Sequence, residues 1–217
     1  MKRLIILFFV FCSTFVFAQV QFKSGPSGFS SFIKNNTIYP QFSKQNCVQG
    51  TVNVSFKLDQ SGKVYSSKIT KGILTDLNDE ALRLVRMSSG KWQVPVGYDT
   101  TISVVVPVSF KLSGYDCEGK SNAEIRASIV AYEAEEGLTN AVINFYKNKS
   151  QATPEQETQI LAIKAQLGID DEYLDELIKT ALKKIKQGDK QGACENFNLV
   201  KNLGSDKADE YLSKYCK

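Results

Sequence analysis

The sequence predicts an α+β fold: a three-stranded antiparallel/mixed sheet with two helices, followed by an all-α helical domain. Three observations carry this. Apolar and polar residues alternate across residues 51–58 and again across 102–112, the period of a half-buried strand. Between them, Leu77, Ala81, Leu84 and Val85 fall at i, i+4, i+7 and i+8, one stripe of a helix. Near residue 118 the composition changes. Val, Phe, Pro and the single Trp crowd the first part, while Ala, Leu, Lys, Glu and Gln dominate the second, and the net charge turns from basic to acidic.

The chain opens as a secretory leader. Lys2 and Arg3 precede an apolar run over residues 4–17, and Ala18 supplies the small residue at which cleavage is expected. The run is shorter than the roughly 20 residues a spanning helix needs. Cys12 follows bulky residues and is read as lost with the leader. The expected organisation is a signal peptide over 1–18, an α+β domain over 19–117 and a helical domain over 118–217.

Phe29, Phe32 and Ile33 predict a short helix ahead of Tyr39-Pro40. In the first strand Val52, Val54, Phe56 and Leu58 share one face. Asp59-Gln60-Ser61-Gly62 is a hairpin connection with Gly where positive φ is needed. The return strand, 63–70, carries Val64 and Ile69 out of phase, which implies a bulge. Thr75 is placed as the cap of a helix over 76–87. The third strand, 102–112, presents Ile102, Val104, Val106, Val108, Phe110 and Leu112 on one face.

A right-handed crossover through the helix puts the third strand parallel to the second, with the first between them. The third strand is then an edge, which Pro107 supports, since proline inside a sheet is tolerated at an edge. Residues 103, 105, 107 and 109 share one backbone direction. If Pro107 faces away from the first strand, so do the amides of Ser103, Val105 and Ser109. The same topology brings Cys117 to Cys47, and these are expected to pair.

In the second part, Ser121 with Glu124 is a capping box, and Thr153-Pro154-Glu155-Gln156 is a second helix start. Gly168 ends that helix. A helix over 170–187 follows, with Leu174, Leu177, Ile178, Ala181, Leu182 and Ile185 as its stripe. Gly188-Asp189 turns the chain into a helix over 192–203, and Ser205 is expected to cap a last one carrying Ala208, Tyr211, Leu212 and Tyr215. Cys194 and Cys216 fall on adjacent antiparallel helices and are expected to form the second bridge, as suits four cysteines in an exported chain.

Several function classes drop out. With no His among 217 residues, Ser-His-Asp and Cys-His catalysis and His-ligated zinc are excluded. No C-x-x-C occurs, so neither thiol redox chemistry nor a Cys zinc site is supported. A net charge of +4 is too small for a dedicated nucleic-acid binder. Glu133, Glu135 and Glu136 read as a solvated helix face. Asp170-Asp171-Glu172 and the lysines 179, 183, 184 and 186 read as complements to helix dipoles, and Trp92 as core. No catalytic, metal or cofactor residues and no small-molecule substrate are expected.

The first part resembles the TonB C-terminal domain. The shared features are Tyr39-Pro40, Gly50-Thr51-Val52 opening a strand with Phe56, Asp59-x-x-Gly62-Lys63-Val64, Leu77-Asn78-Asp79-Glu80-Ala81-Leu82, Lys91-Trp92 and Pro107-Val108-x-Phe110. The resemblance covers about residues 25–113. The family's proline ahead of the Trp motif is replaced here by Ser89-Gly90. The resemblance implies a periplasmic module in a Gram-negative bacterium that couples energy to outer-membrane receptors by taking a receptor segment as an added strand on its last β-strand. The implied partner-binding residues are Tyr39, Pro40, Ser103, Val105, Pro107 and Ser109. The chain is read without the anchor and long proline-rich spacer of a full transducer, so the fold is expected to carry over better than the coupling. Residues 174–216 resemble a tetratricopeptide-like repeat through Gly188-Asp189, Ala193, Phe197 and Leu203-Gly204. Two readings follow. One is a protein-interaction module that binds a partner segment by β-augmentation. The other is a structural or assembly component of the envelope whose edge is covered by its own helical domain or by a second copy, as a homodimer.

Overall fold

The structure, a computed structural model describing residues 19–216, begins with a short strand, β1 (Gln21–Phe22), and two helices, α1 (Gly25–Asn36) and α2 (Gln41–Gln45). The leader expected at 1–18, with Cys12, lies outside the described residues. Then come β2 (Gly50–Leu58), β3 (Val64–Lys71), α3 (Thr75–Met87), β4 (Trp92–Gln93) and β5 (Ser103–Phe110). The helical half is α4 (Asn122–Lys147), α5 (Pro154–Gln166), α6 (Asp171–Lys186), α7 (Lys190–Asn202) and α8 (Asp209–Tyr215).

The main sheet has the order β3–β2–β5, with β2 antiparallel to both neighbours, so β3 and β5 are the two edges. Gly62 turns the hairpin at φ 79°, and the register slips twice between β2 and β3, which is the irregularity that Val64 and Ile69 imply. The inward faces of β2 (Val52, Val54, Phe56, Leu58) and β5 (Val108, Phe110) pack on Leu77, Ala81, Leu84 and Val85 of α3. Each of these Val, Leu and Phe side chains contributes about 1.5–3 kcal/mol by leaving water. Trp92 closes this core against Phe22, Phe29 and Phe56, 5% exposed, and its indole Nε1 donates to Ser88 Oγ at 2.8 Å. A buried indole N–H needs such an acceptor.

A second core joins Val142 of α4, Ile160 of α5, Leu174, Ile178 and Ala181 of α6, and Ala193, Phe197 and Val200 of α7. α4 spans both cores: Ile125, Ile129 and Tyr132 pack on the first, Val142, Ile143 and Phe145 in the second. Both expected capping boxes are present, Ser121–Glu124 and Thr153–Gln156. The cysteines pair as expected, Cys47 with Cys117 and Cys194 with Cys216, at Cα separations of 5.7 and 5.6 Å.

Some expectations need correction. Thr75 does not cap α3. The extended residue Leu74 holds the cap position without a side-chain bond, and Thr75 is the first helical residue. Nearby amides are served instead by Asp76 Oδ1, which accepts from Leu77 N, and by Asn78 Oδ1, which accepts from Ile73 N. β5 is shorter than 102–112. Ile102 is 53% exposed and its amide donates to Asp99 O in a turn, and the Leu112 amide donates to Gln49 Oε1. α7 starts at Lys190, not 192, because Asp189 is its cap and accepts from Gly192 N. Ser205 makes a local turn by accepting from Lys207 N, and α8 begins only at Asp209.

Candidate interaction edge

β5 is built from a strict alternation. Val104 and Val106 are half-buried and Val108 and Phe110 buried, while Ser103, Val105, Pro107 and Ser109 are exposed. Val105, at 56%, is a bare aliphatic side chain in the middle of the strand. β5 pairs with β2 on one side, with Pro107 opposite Asn53 and Val105 opposite Ser55; on its other side it has no strand partner among the described residues. In an antiparallel pair, backbone groups of one parity address the neighbour and those of the other parity point away. Ser109 is also tied back to β2 through its hydroxyl, 3.0 Å from Thr51 Oγ1.

Tyr39 stands at the end of this edge. Its ring meets Phe110 edge-on, centroids 5.9 Å apart, and its hydroxyl donates to Val48 O at 2.6 Å. Burial, with the Asp76 charge adding to it, pushes the phenol up to about 12. Pro40 departs from Tyr39: it is the cap of α2 and lines a cleft of about 510 Å³ between α3 and the helical half. The expected pair is thus split, Tyr39 toward β5 and Pro40 toward the cleft. Two of the cleft's charges, Glu80 and Arg83, hold elements together. Arg83 forks onto Glu80 at 2.6 and 2.7 Å, Glu80 also accepts from Ile38 N, and Arg83 donates to Asn36 O.

Sequence reasoning missed the opposite edge. The side-chain amide of Gln191 on α7 accepts from Ser67 N at 3.1 Å and donates to Ser67 O at 2.9 Å, on β3. Beside it Arg86, with a side chain only 7% exposed, donates from Nε to Ser67 Oγ and from both Nη atoms to Glu195 at 2.9 and 2.7 Å. The contacts made by Gln191 and Glu195 join residues over 100 positions apart, and no local pattern announces them.

The class these observations define is a small α+β domain whose sheet has, among the described residues, one edge strand, β5, without a strand partner on its outer side. Residues 35–112 match the family model of the Gram-negative bacterial TonB protein C-terminal, from the last two residues of α1 to just past the end of β5. That family is a protein-interaction domain rather than an enzyme family, and its members are associated with the Gram-negative envelope. No curated protein and no solved structure matches the chain.

Proposed function

We propose that this chain is a periplasmic protein-interaction module that takes an extended partner segment as an added strand on β5, the partner being a segment of an outer-membrane TonB-dependent receptor. The carrying observation is β5 itself, an edge strand with proline in mid-course and Val105 uncovered. In this reading residues 19–117 are the binding domain and 118–217 a second, helical domain. The amides of Ser103, Val105 and Ser109 face outward, Pro107 leaves one gap in the ladder, and Tyr39 borders the site. The basic and apolar leader at 1–18 supports export. The contacts of α7 fall on β3, the other edge, which favours an open β5 over one covered by the helical half.

Proline scanning tests this. Val105→Pro removes an amide that has no intrachain role in this reading, so stability should change by less than about 1 kcal/mol while capture of receptor N-terminal peptides is lost. Val106→Pro removes a ladder bond to β2 and should cost about 3 kcal/mol. Equal costs at the two positions, or unchanged capture by Val105→Pro, would sink the assignment. Light scattering on the parent protein separates a β5-paired homodimer from an open edge.

A further inference from the structure

We propose that the outer edge of β3 at Ser67, with the Arg86 guanidinium beside it, is a second strand-accepting site, that its ligand is an extended segment carrying a carboxylate, and that α7 occupies it from within the chain.

The Gln191 amide does what one residue of an added strand does. Two residues facing each other in an antiparallel ladder exchange an N–H and a C=O in both directions. Gln191 offers the same pair to Ser67, donor at 2.9 Å and acceptor at 3.1 Å, through a side chain. Glu195 lies four residues on, on the same helix face. It supplies the anion: both its oxygens sit on Arg86, and Gln191 Nε2 steadies Glu195 Oε1 at 3.1 Å. Together they present one backbone-like amide and one carboxylate.

The chemistry of a replacement follows from Arg86. Apart from Ser67 Oγ, its partners come from the helical half, Glu195 and, at 3.8 Å, Asp189. A segment seated in place of α7 covers the Arg86 guanidinium again, and covering it without a carboxylate buries an unpaired charge, which is strongly unfavourable. A segment that displaces α7 therefore has to bring an acid. Ser67 Oγ and Arg86 lie on the same side of the sheet, and facing residues in a ladder point to the same side. The acid belongs opposite Ser67 or two residues from it.

α7 is also displaceable. Its apolar residues Ala193, Phe197 and Val200 are committed to the helical core, so its hold on β3 comes from polar side chains, and Glu195 is 48% exposed. A cavity of about 450 Å³ runs beside Gln191 between Val64–Tyr65 and the turn at Gly188, with Arg86 in its wall. α4 remains docked independently through Tyr132, whose ring lies 4.6 Å from Phe42.

The test uses residues 19–217, the same protein with Gln191→Ala and Glu195→Ala, and two synthetic probes. These are the peptide Lys-Thr-Val-Thr-Glu-Thr-Val-Lys and its twin with Gln in place of Glu. The doubly substituted protein should bind the Glu peptide about tenfold more tightly than the parent does, and about tenfold more tightly than it binds the twin, as a charge-assisted pair requires. The amide of Ser67 and Nε of Arg86 should report the binding in NMR. Adding Arg86→Met should abolish the preference for Glu. The parent at millimolar Glu peptide should show the same Ser67 shift more weakly, which keeps the test independent of how the variant folds. Equal affinity for the twins, or shifts confined to Ser103 and Val105, would overturn the proposal. The β5 reading fails separately, through the Val105→Pro result.

Discussion

Replacing Cys194 and Cys216 together by alanine should unfold the helical half early and leave the sheet in place. Both cysteines are half-buried, so the substitution removes little packing, and the main loss is the cross-link. The bridge closes a separation of 22 residues, worth about 3 kcal/mol in the chain-entropy account. It matters because α8 has seven residues, too few to be helical alone. α8 is also held by Phe197, stacked on Tyr211 and Tyr215 at 5.2 and 6.3 Å, and by the Lys201–Asp209 ion pair. Two probes read the halves separately. The single Trp lies in the sheet core, so its fluorescence follows that core, whereas far-UV circular dichroism is dominated by α4–α8. Spread over urea slopes of about 1–3 kcal/mol per molar, the loss moves the dichroism midpoint down by roughly 1–3 M. The Trp92 midpoint should stay within about 0.5 M. Replacing Cys47 and Cys117, a separation of 70 residues and about 4 kcal/mol, should do the reverse. If both probes move together in both variants, the two cores unfold as one unit and the reasoning is wrong.

Two further outcomes can be checked. Burial pushes Tyr39 and Tyr132 up to about 12, with the Asp76 charge adding to both. Because the folded state favours the neutral phenols, their contribution is complete below the ordinary value near 10 and is lost as pH rises through about 12. Absorbance titration at 295 nm should show a late component that shrinks when both are replaced by phenylalanine; a single early transition would contradict it. Gly62→Ala forces a side chain into positive φ and drives its Cβ into the Trp92 carbonyl, whereas a Cβ at Gly97, also at positive φ, meets open space. Thermal unfolding should put Gly97→Ala at about 1–2 kcal/mol and Gly62→Ala clearly above it. Equal losses would mean that the β4 segment yields.

The parts of the fold that sequence reveals are those whose cause is local. Val52, Val54, Phe56 and Leu58 mark β2 because alternation is a property of one strand, and Pro107 marks the edge because a missing N–H constrains one residue. Ser121 and Thr153 cap helices because their partners lie three residues away. Thr75 and Ser205 have the right chemistry for caps, but the amides around α3 find Asp76 and Asn78, and Ser205 serves Lys207 instead. β1 and β4 are two residues each, too short to show a period, and exist because Phe22 and Trp92 pack together. Of the β5 site, the exposed alternation was legible; the splitting of Tyr39 from Pro40 was not, since it depends on Phe110 and Val48, brought in by the sheet. Arg86 reads in sequence as one more charge on an amphipathic helix, and its role depends on Glu195, 109 positions away.

The Gln191 amide on Ser67 has a bearing on assembly. A sheet open at both edges can be extended copy after copy, and nothing in such head-to-tail growth closes it. With β3 stoppered by a side chain, the sheet has a direction in which it cannot lengthen. Two copies could still share a sheet through β5, and there growth would end. The glutamine thus works as a chain terminator, setting an upper bound of two on any assembly made by lengthening this three-stranded sheet while α7 stays seated.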